Sequence, residues 1–266
     1  MTSTSYLNGF DPLRLQRLKL WMQTYVASGK FAGSSVLINR RGREVFYSAA
    51  GLRNCETGKP FNRDTVVRLY SMTKPVTSVA LMMLVERGLC VLDEPVSEFI
   101  PAFSNMEALV SEATRIDQTT SCATPTLHQL LTHTSGLSYS FNLGVLPQEM
   151  KKEKLDFNPS DSSLANVCDK LATLPLAFNP GIRWEYSVSI DVIGRVIEVI
   201  SGETLDHFLQ TEIFQPLDID DIGSPTGLLL DLFQQIINGS RITSRAGVVP
   251  LPSSGVSRCS QSNYKT

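Results

Sequence analysis

The sequence predicts a mixed α and β (α+β) protein in which an antiparallel hairpin is followed by a mostly helical region. Asp11-Pro12 supplies an N-cap and a first helical residue, and Gly29 ends the helix predicted over residues 11–28. Apolar strand-like runs at 34–39 and 44–50 flank the turn Arg41-Gly42, which predicts a β-hairpin. Further helices are predicted from Ser71 to Gly88, Leu92 to Pro101, Thr126 to Leu137, Ser162 to Ala172, Ser189 to Ile200 and from Glu203 or Thr204 onward. Residues 102–123 are weakly patterned and are expected to lie at the surface.

The stretch from Tyr70 to Gly88 is the most distinctive part of the chain. From Val76 to Val85 it is apolar on nearly every side, which predicts a helix buried at the centre of its domain. Ser71 and Lys74 lie three residues apart in the opening turn, where their side chains can meet. A serine hydroxyl at the positive end of the helix dipole, with a lysine beside it, is a candidate activated nucleophile.

A structural interpretation of this motif stays open at this point. Ser71 could cap a core helix while Lys74 extends to water. The same Ser-x-x-Lys spacing also recurs from Ser262 to Lys265, where no apolar helix follows, so we interpret that copy as coincidence.

Composition limits the classes of function. With 266 residues and 42% apolar residues, the chain can bury a substantial core. A net charge of −2 gives no reason to expect nucleic acid or a membrane as partner. The five cysteines form no Cys-x-x-Cys pair, so neither a zinc site nor a disulfide framework is indicated. No cofactor is expected. Because the N-terminus resembles no export signal and no run is long enough to span a membrane, the expected location is cytoplasmic.

Four segments together carry a family resemblance. They resemble, in order and spacing, the serine β-lactamase-like hydrolases, a superfamily of class C β-lactamases, D-alanyl-D-alanine peptidases, family VIII carboxylesterases and lovastatin-type acyltransferases. The resemblance is strongest to the esterase and acyltransferase branch and covers about residues 10–223. It implies a β-lactamase/transpeptidase-like fold, with an antiparallel sheet, flanking helices and a mostly helical subdomain. The segments are Leu69-Tyr-Ser-Met-Thr-Lys-Pro75, Gly88-Leu-Cys-Val-Leu-Asp-Glu-Pro-Val96, Leu130-Leu-Thr-His-Thr-Ser-Gly-Leu137 and Pro180-Gly-Ile-Arg-Trp-Glu-Tyr-Ser-Val-Ser-Ile-Asp-Val-Ile-Gly194.

The resemblance also implies the site residues. It makes Ser71 the nucleophile, whose backbone N–H is one oxyanion donor, and Lys74 its base. Tyr186 takes the place of the family's second motif, so that Lys74 and Tyr186 share the proton taken from Ser71. A triad of His133 with Ser135 is the weaker alternative, because no Gly-x-Ser-x-Gly sequence occurs in the chain.

Two departures from the family pattern shape the expected function. Val188 stands where β-lactamases have an asparagine that helps to hold an acylamide side chain, which favours ester substrates. The expected function is therefore cleavage of small-molecule esters, or acyl transfer, through an acyl-serine intermediate. A β-lactamase or D-alanyl-D-alanine peptidase is the first alternative.

The second departure concerns the C-terminal part. Nothing after Gly223 resembles the family's third motif, which supplies the second oxyanion donor, so we assign residues 1–223 to the enzyme-like domain and 224–266 to a non-matching, partly disordered tail. The sheet is then expected to be incomplete, and its open edge could pair with a second copy of the chain. A catalytically inactive or truncated form is the second alternative.

Overall fold

The computed structural model describes residues 8–67, 69–156, 163–220 and 222. These residues fall into two compact units, one before Arg68 and one after it. The predicted tail at 224–266, including Ser262, lies outside the described residues.

The first unit begins with helix α1, Pro12–Ala27. Asp11 caps it as predicted, because its Oδ1 accepts a hydrogen bond from the Leu13 N–H at 2.8 Å. One face of α1 is buried in this unit, where Met22 is 1% exposed.

The sheet of the first unit has the order β1-β2-β3, formed by Gly33–Arg40, Arg43–Asn54 and the two-residue strand Lys59–Pro60. Strands β1 and β2 are antiparallel, and the predicted hairpin is confirmed. Arg41 and Gly42 have φ of +53° and +72°, the double left-handed conformation that matches the twist of a two-residue hairpin. The outer edge of β1 has no partner strand among the described residues.

The second unit is organised around helix α2, Thr73–Glu86, which follows a single 3-10 turn over Tyr70–Met72. One face of α2 is buried, and helix α6, Ser189–Ser201, packs against α2. On the other face Val79 is 52% exposed, so the prediction of burial on every side is wrong. An apolar sequence all round a helix predicts burial only where neighbouring elements cover every face.

The other helices of this unit are short and mostly lie where the sequence predicts them. The segment from Leu92 to Pro101 is an exception, because it forms a 3-10 turn at Val96–Glu98 instead of the predicted helix. Pro95 and Pro101 lack the amide donors that a longer helix needs. The remaining helices are α3, Leu127–Leu131; α4, Val145–Lys152; α5, Leu164–Ala172; and α7, Leu205–Leu209, which continues into a π-helical turn at Gln210–Phe214.

Most of residues 102–123 lie at the surface as expected, but Phe103, Met106 and Ala108 are exceptions. Strands β4, Glu107–Leu109, and β5, Thr119–Ser121, form an antiparallel ribbon here. Phe103 and Ala108 are both fully buried in the core. The strands are too short for the sequence to show a two-residue periodicity.

No described helix combines the length and the apolar content required to cross a bilayer. Within the same ranges, no three His, Cys, Asp or Glu side chains are grouped so that they could hold a metal ion.

Candidate active site

Ser71 lies in the 3-10 turn at the head of α2, with its side chain exposed. Tyr70, immediately before it, has φ of +52°, a left-handed conformation that is uncommon for a bulky residue. The turn's own hydrogen bonds use the amides of Met72 and Thr73, which donate to the carbonyls of Leu69 and Tyr70. The Ser71 amide takes part in neither of these two bonds.

The structure brings together all three residues predicted for the site. Lys74 Nζ lies 3.4 Å from Ser71 Oγ, and the Tyr186 hydroxyl donates a hydrogen bond to the same oxygen at 2.6 Å. Lys74 is 8% exposed, so its ammonium group lies in a largely buried setting. Two hydrogen-bond donors thus converge on Ser71 Oγ, an arrangement that favours negative charge on that oxygen.

Tyr139 is a fourth member of the site, and no motif in the sequence assigns chemistry to it. Its hydroxyl accepts a hydrogen bond from Lys74 Nζ at 3.0 Å, and its side chain is 3% exposed. Lys74 Nζ also lies 4.7 Å and 5.4 Å from the ring centroids of Tyr186 and Tyr139. Burial raises the pKa of Tyr139, with smaller effects from nearby acidic groups, so this phenol stays protonated at neutral pH.

One segment that is distant in the sequence, residues 133–142, holds Tyr186 in place. The Glu185 N–H donates to the His133 carbonyl at 2.9 Å, and the Val188 N–H donates to the Ser138 carbonyl at 3.2 Å. The side-chain amide of Asn142 donates to the carbonyl of Tyr186 itself at 2.9 Å. The backbone on both sides of Tyr186 is therefore tied to residues 133–142.

The turn that begins at His133 needs a glycine at its tip. Gly136 has φ of +87°, and a Cβ at this position would lie 2.4 Å from the carbonyl oxygen of Phe178. This requirement explains Gly136 without any catalytic role.

The structure does not assemble the alternative histidine triad. His133 Nδ1 lies 3.1 Å from the hydroxyl of Ser187, whereas Ser135 is fully buried and bonds to Ser189. Burial, reinforced by the charge of Lys74, lowers the pKa of His133 to about 4. His133 is therefore neutral at physiological pH.

Asp191 adds an acidic group to the first turn of α6. Its side chain is partly exposed, but Oδ2 is buried and has no hydrogen-bond partner in the described part of the chain. Burial raises the pKa of Asp191 to about 6, and the positive charge of Lys74 acts in the opposite direction.

Two exposed aromatic side chains flank the tyrosines. Phe141 stacks on Tyr139 with a centroid distance of 5.0 Å, and Trp184 stacks on Tyr186 at 6.3 Å. Phe141 is 58% exposed and Trp184 is 64% exposed. They offer an apolar surface next to the reactive groups.

The fold is β-lactamase/transpeptidase-like, combining helices with small antiparallel sheets. The chain belongs to the beta-lactamase family, whose model matches residues 18–227. The match includes Ser71, Lys74, Tyr139 and Tyr186.

Comparison with individual proteins shows esterase and acyltransferase relatives. The chain is 35% identical over 197 residues to esterase EstB of Burkholderia gladioli, an alignment that covers 73% of this chain and 47% of EstB. It is 34% identical over 206 residues to lovastatin esterase of Penicillium rubens, covering 75% and 50% of the two chains. Among solved structures, "EstCE1, a hydrolase with promiscuous acyltransferase activity" superposes with a TM-score of 0.65 at 31% identity, covering 77% of this chain and 51% of EstCE1. The chain thus spans about half the length of the relatives it matches.

Proposed function

We propose that this chain carries the nucleophile and the proton-transfer residues of a serine esterase or acyltransferase that acts on small-molecule esters. The observation that supports this most directly is the convergence of Lys74 Nζ and the Tyr186 hydroxyl on Ser71 Oγ. Nucleophile and base within hydrogen-bonding reach are the geometric requirement for covalent catalysis. The proposed steps use no cofactor.

In the proposed acylation step, the Lys74 ammonium group first gives up a proton to solvent, and Ser71 Oγ then attacks the ester carbonyl carbon while its own proton passes to Lys74. The carbon–oxygen bond to the alcohol then breaks, and the departing alkoxide takes the proton of the Tyr186 hydroxyl. Lys74 returns a proton to Tyr186, which leaves an acyl-Ser71 ester and a neutral alcohol. Water completes hydrolysis by the reverse sequence of proton transfers, and a second alcohol in its place completes acyl transfer.

The oxyanion formed during this attack needs hydrogen-bond donors. We assign the Ser71 N–H as one of these donors; the turn's own hydrogen bonds are made by the two following amides and do not use it. Loss of one donor in such a site costs about 100- to 1,000-fold in turnover, so the strength of catalysis depends strongly on a second donor.

Tyr139 acts in this proposal by positioning Lys74. A lysine has four rotatable side-chain bonds, and the 3.0 Å hydrogen bond to the buried Tyr139 hydroxyl selects the conformer that reaches Ser71. Because this phenol stays protonated, its oxygen serves as a neutral partner of Lys74 and does not compete as a base.

Esters are favoured over β-lactams as substrates for two reasons. Val188 is 3% exposed and carries no amide with which to bind an acylamide side chain. The exposed rings of Phe141 and Trp184 suit an apolar acyl or aryl group instead. The names of the relatives, esterases and acyltransferases, agree with this choice. The cytoplasmic location and the lack of nucleic-acid and membrane partners stay predictions from the sequence.

A trapping experiment tests the proposal. The purified chain is mixed with p-nitrophenyl butyrate, quenched in acid and analysed by intact and peptide mass spectrometry. We expect a butyryl group on Ser71 in the native chain and none in Ser71→Ala. Tyr186→Phe keeps the ring but lacks the hydroxyl, and we expect acylation about 100-fold slower or less complete. Equal acylation of the native chain and Ser71→Ala would refute the proposal.

A further inference from the structure

Three buried serine hydroxyls form a continuous hydrogen-bonded chain beside the site. Ser187 Oγ lies 2.8 Å from Ser189 Oγ, which lies 2.7 Å from Ser135 Oγ, and all three side chains are fully buried. The Leu137 N–H donates to Ser135 Oγ at 3.2 Å. At the other end, Ser187 Oγ lies 3.1 Å from His133 Nδ1. The chain therefore runs from a backbone amide to the ring of His133.

The end of this chain at Ser135, where the next partner is a backbone donor, gives the chain a direction. Because the Leu137 N–H can only donate, Ser135 is satisfied when its own proton points to Ser189. Ser189 then donates to Ser187. If the protons ran the opposite way, the Ser135 hydroxyl would have no acceptor among its partners in the described residues. A buried donor without an acceptor is strongly disfavoured, which biases the chain about tenfold or more toward the first direction.

The last hydroxyl in this direction is that of Ser187, and its proton points to His133 Nδ1. We propose that the serine chain fixes His133 as the tautomer with its proton on Nε2, and thereby fixes the segment that carries Tyr186. His133 and Ser187 are then positioning residues for the reaction. The part of the inference that concerns the reaction rests on the proposed function; the tautomer and the fixed segment do not.

Further contacts connect the imidazole to Tyr186. His133 has φ of +56°, and its carbonyl accepts the hydrogen bond from the Glu185 N–H. The ring centroids of His133 and Tyr186 are 5.0 Å apart. Glu185 and Ser187 are the residues directly before and after Tyr186. The bond from Ser187 to Nδ1 and the bond from Glu185 to the carbonyl of His133 therefore hold the backbone on both sides of Tyr186. The low pKa of His133, about 4, keeps Nδ1 available as an acceptor at neutral pH.

Nitrogen NMR of histidine-labelled protein tests the tautomer. The chain has three histidines, and the spectrum of His133→Asn assigns the signals of His133. We expect a protonated Nε2 and an Nδ1 shift typical of a nitrogen that accepts a hydrogen bond. Ser187→Ala should move that Nδ1 shift to the value of a nitrogen without a donor. Ser135→Ala should leave it in place, because Ser189 then ends the chain and Ser187 is the acceptor that remains among its partners in the described residues. A protonated Nδ1 in the native chain, or no change in Ser187→Ala, would overturn the inference.

Hydrogen exchange tests whether the segment is fixed. We expect the Glu185 amide to exchange at least about tenfold faster in Ser187→Ala than in the native chain. Two variants at position 133 separate the side chain from the backbone. Asparagine and glycine both tolerate a positive φ, but only asparagine offers an acceptor near the place of Nδ1. His133→Asn should therefore retain more protection at Glu185 than His133→Gly, and equal protection in the two would contradict the positioning role.

Covalent labelling of Ser71 by a fluorophosphonate connects these results to the reaction. Ser187→Ala should label about tenfold more slowly than the native chain, and His133→Asn should label faster than His133→Gly. If the native chain does not label at Ser71, the proposed function fails, while the nitrogen shifts and exchange rates still decide the inference. If labelling is fast and identical in Ser187→Ala, the positioning role in the reaction is refuted.

Discussion

The hydroxyl of Tyr139 accepts a hydrogen bond from Lys74 Nζ at 3.0 Å, although the two residues are 65 positions apart in the sequence. The same ammonium group lies 3.4 Å from Ser71 Oγ. Lys74 thus spans from a buried phenol to the exposed nucleophile. The position of the proposed base depends on a residue from a different segment of the fold.

Tyr139→Phe tests this dependence. The change keeps the ring and removes the oxygen, so Lys74 loses a charged hydrogen bond that is ordinarily worth about 1.5–3 kcal/mol. We expect Ser71 to be acylated about 10- to 100-fold more slowly, with little change in KM for p-nitrophenyl butyrate. Tyr25→Phe, in the first unit, is the matched control. An equal decrease of the acylation rate in the two variants, or no decrease in Tyr139→Phe, would show that Tyr139 does not position Lys74.

How well the site could be predicted from the sequence depends on how far apart along the chain the contacting residues lie. Ser71 and Lys74 are neighbours on one helical turn, so their spacing alone predicts that they meet. Tyr186 could be proposed only through the family resemblance, because its contact with Ser71 spans 115 residues. Tyr139 lies two residues after Leu137, where the third family-like segment ends, and the sequence offers no local pattern that would identify it.

The fold shows the same limit. The N-cap at Asp11 and the turn at Arg41-Gly42 are local chemistry, and the elements they define are confirmed. The full burial predicted for α2 and the surface position predicted for residues 102–123 both depended on tertiary neighbours. Val79 and Phe103 are the clearest errors, with exposures of 52% and 0%. A stretch of sequence records the polarity of its own residues but does not record which elements cover it.

Ser71 is expected to take the covalent label in preference to Ser135. Ser71 is exposed and has two donors on its hydroxyl, whereas Ser135 is 0% exposed and already bonded to Ser189. Treatment with a fluorophosphonate followed by peptide mapping gives the site directly. Ser135→Ala is the control and should label at the native position. A label on Ser135, or a full reaction in Ser71→Ala, would contradict the Ser-Lys-Tyr assignment.

Any turnover should favour short-chain aryl esters over β-lactams. A polar acylamide group left without its hydrogen bonds on binding costs about 1–3 kcal/mol, and Val188 cannot supply them. The kcat/KM values for p-nitrophenyl butyrate and nitrocefin, measured on one preparation, test this. Val188→Asn is the informative variant, because it introduces a side-chain amide. It should reduce the difference in kcat/KM between p-nitrophenyl butyrate and nitrocefin. A native preference for nitrocefin would favour the β-lactamase alternative.

The outer edge of β1 is expected to support self-association. Its backbone groups have no partner strand in the described part of the chain, and Leu37 on this strand is 53% exposed. Sedimentation velocity over a range of concentrations measures the effect. Leu37→Lys places a charge on this strand and should shift the population toward monomer, while Leu20→Lys, on the exposed face of α1, is the control. Identical association in both variants would exclude β1 as the contact.

Asp191 and His133 should give the free energy of unfolding opposite dependences on pH. The raised pKa of Asp191, about 6, means that the folded chain holds more protons than the unfolded chain between about pH 4 and 6. Its contribution to stability is therefore complete below about pH 4 and is lost as the pH rises through 6. The lowered pKa of His133, about 4, has the reverse effect: its contribution is complete above about pH 6.5 and is lost as the pH falls through 4.

Single variants should separate the two effects. Relative to the native chain, Asp191→Asn should gain about 2–3 kcal/mol of unfolding free energy between pH 4 and pH 7, because it removes a buried carboxylate that is costly to ionise. Relative to the native chain, His133→Asn should lose a similar amount of unfolding free energy from pH 4 to pH 7, because it lacks the stability that neutral His133 adds as the pH rises. Urea unfolding at pH 4, 5, 6 and 7 measures both differences, and Asp169→Asn, at an exposed position, is the matched control for the loss of one carboxylate. If the unfolding free energies of Asp191→Asn and His133→Asn, each taken relative to the native chain, changed with pH in the same direction, at least one of the two groups would not have the shifted pKa given above.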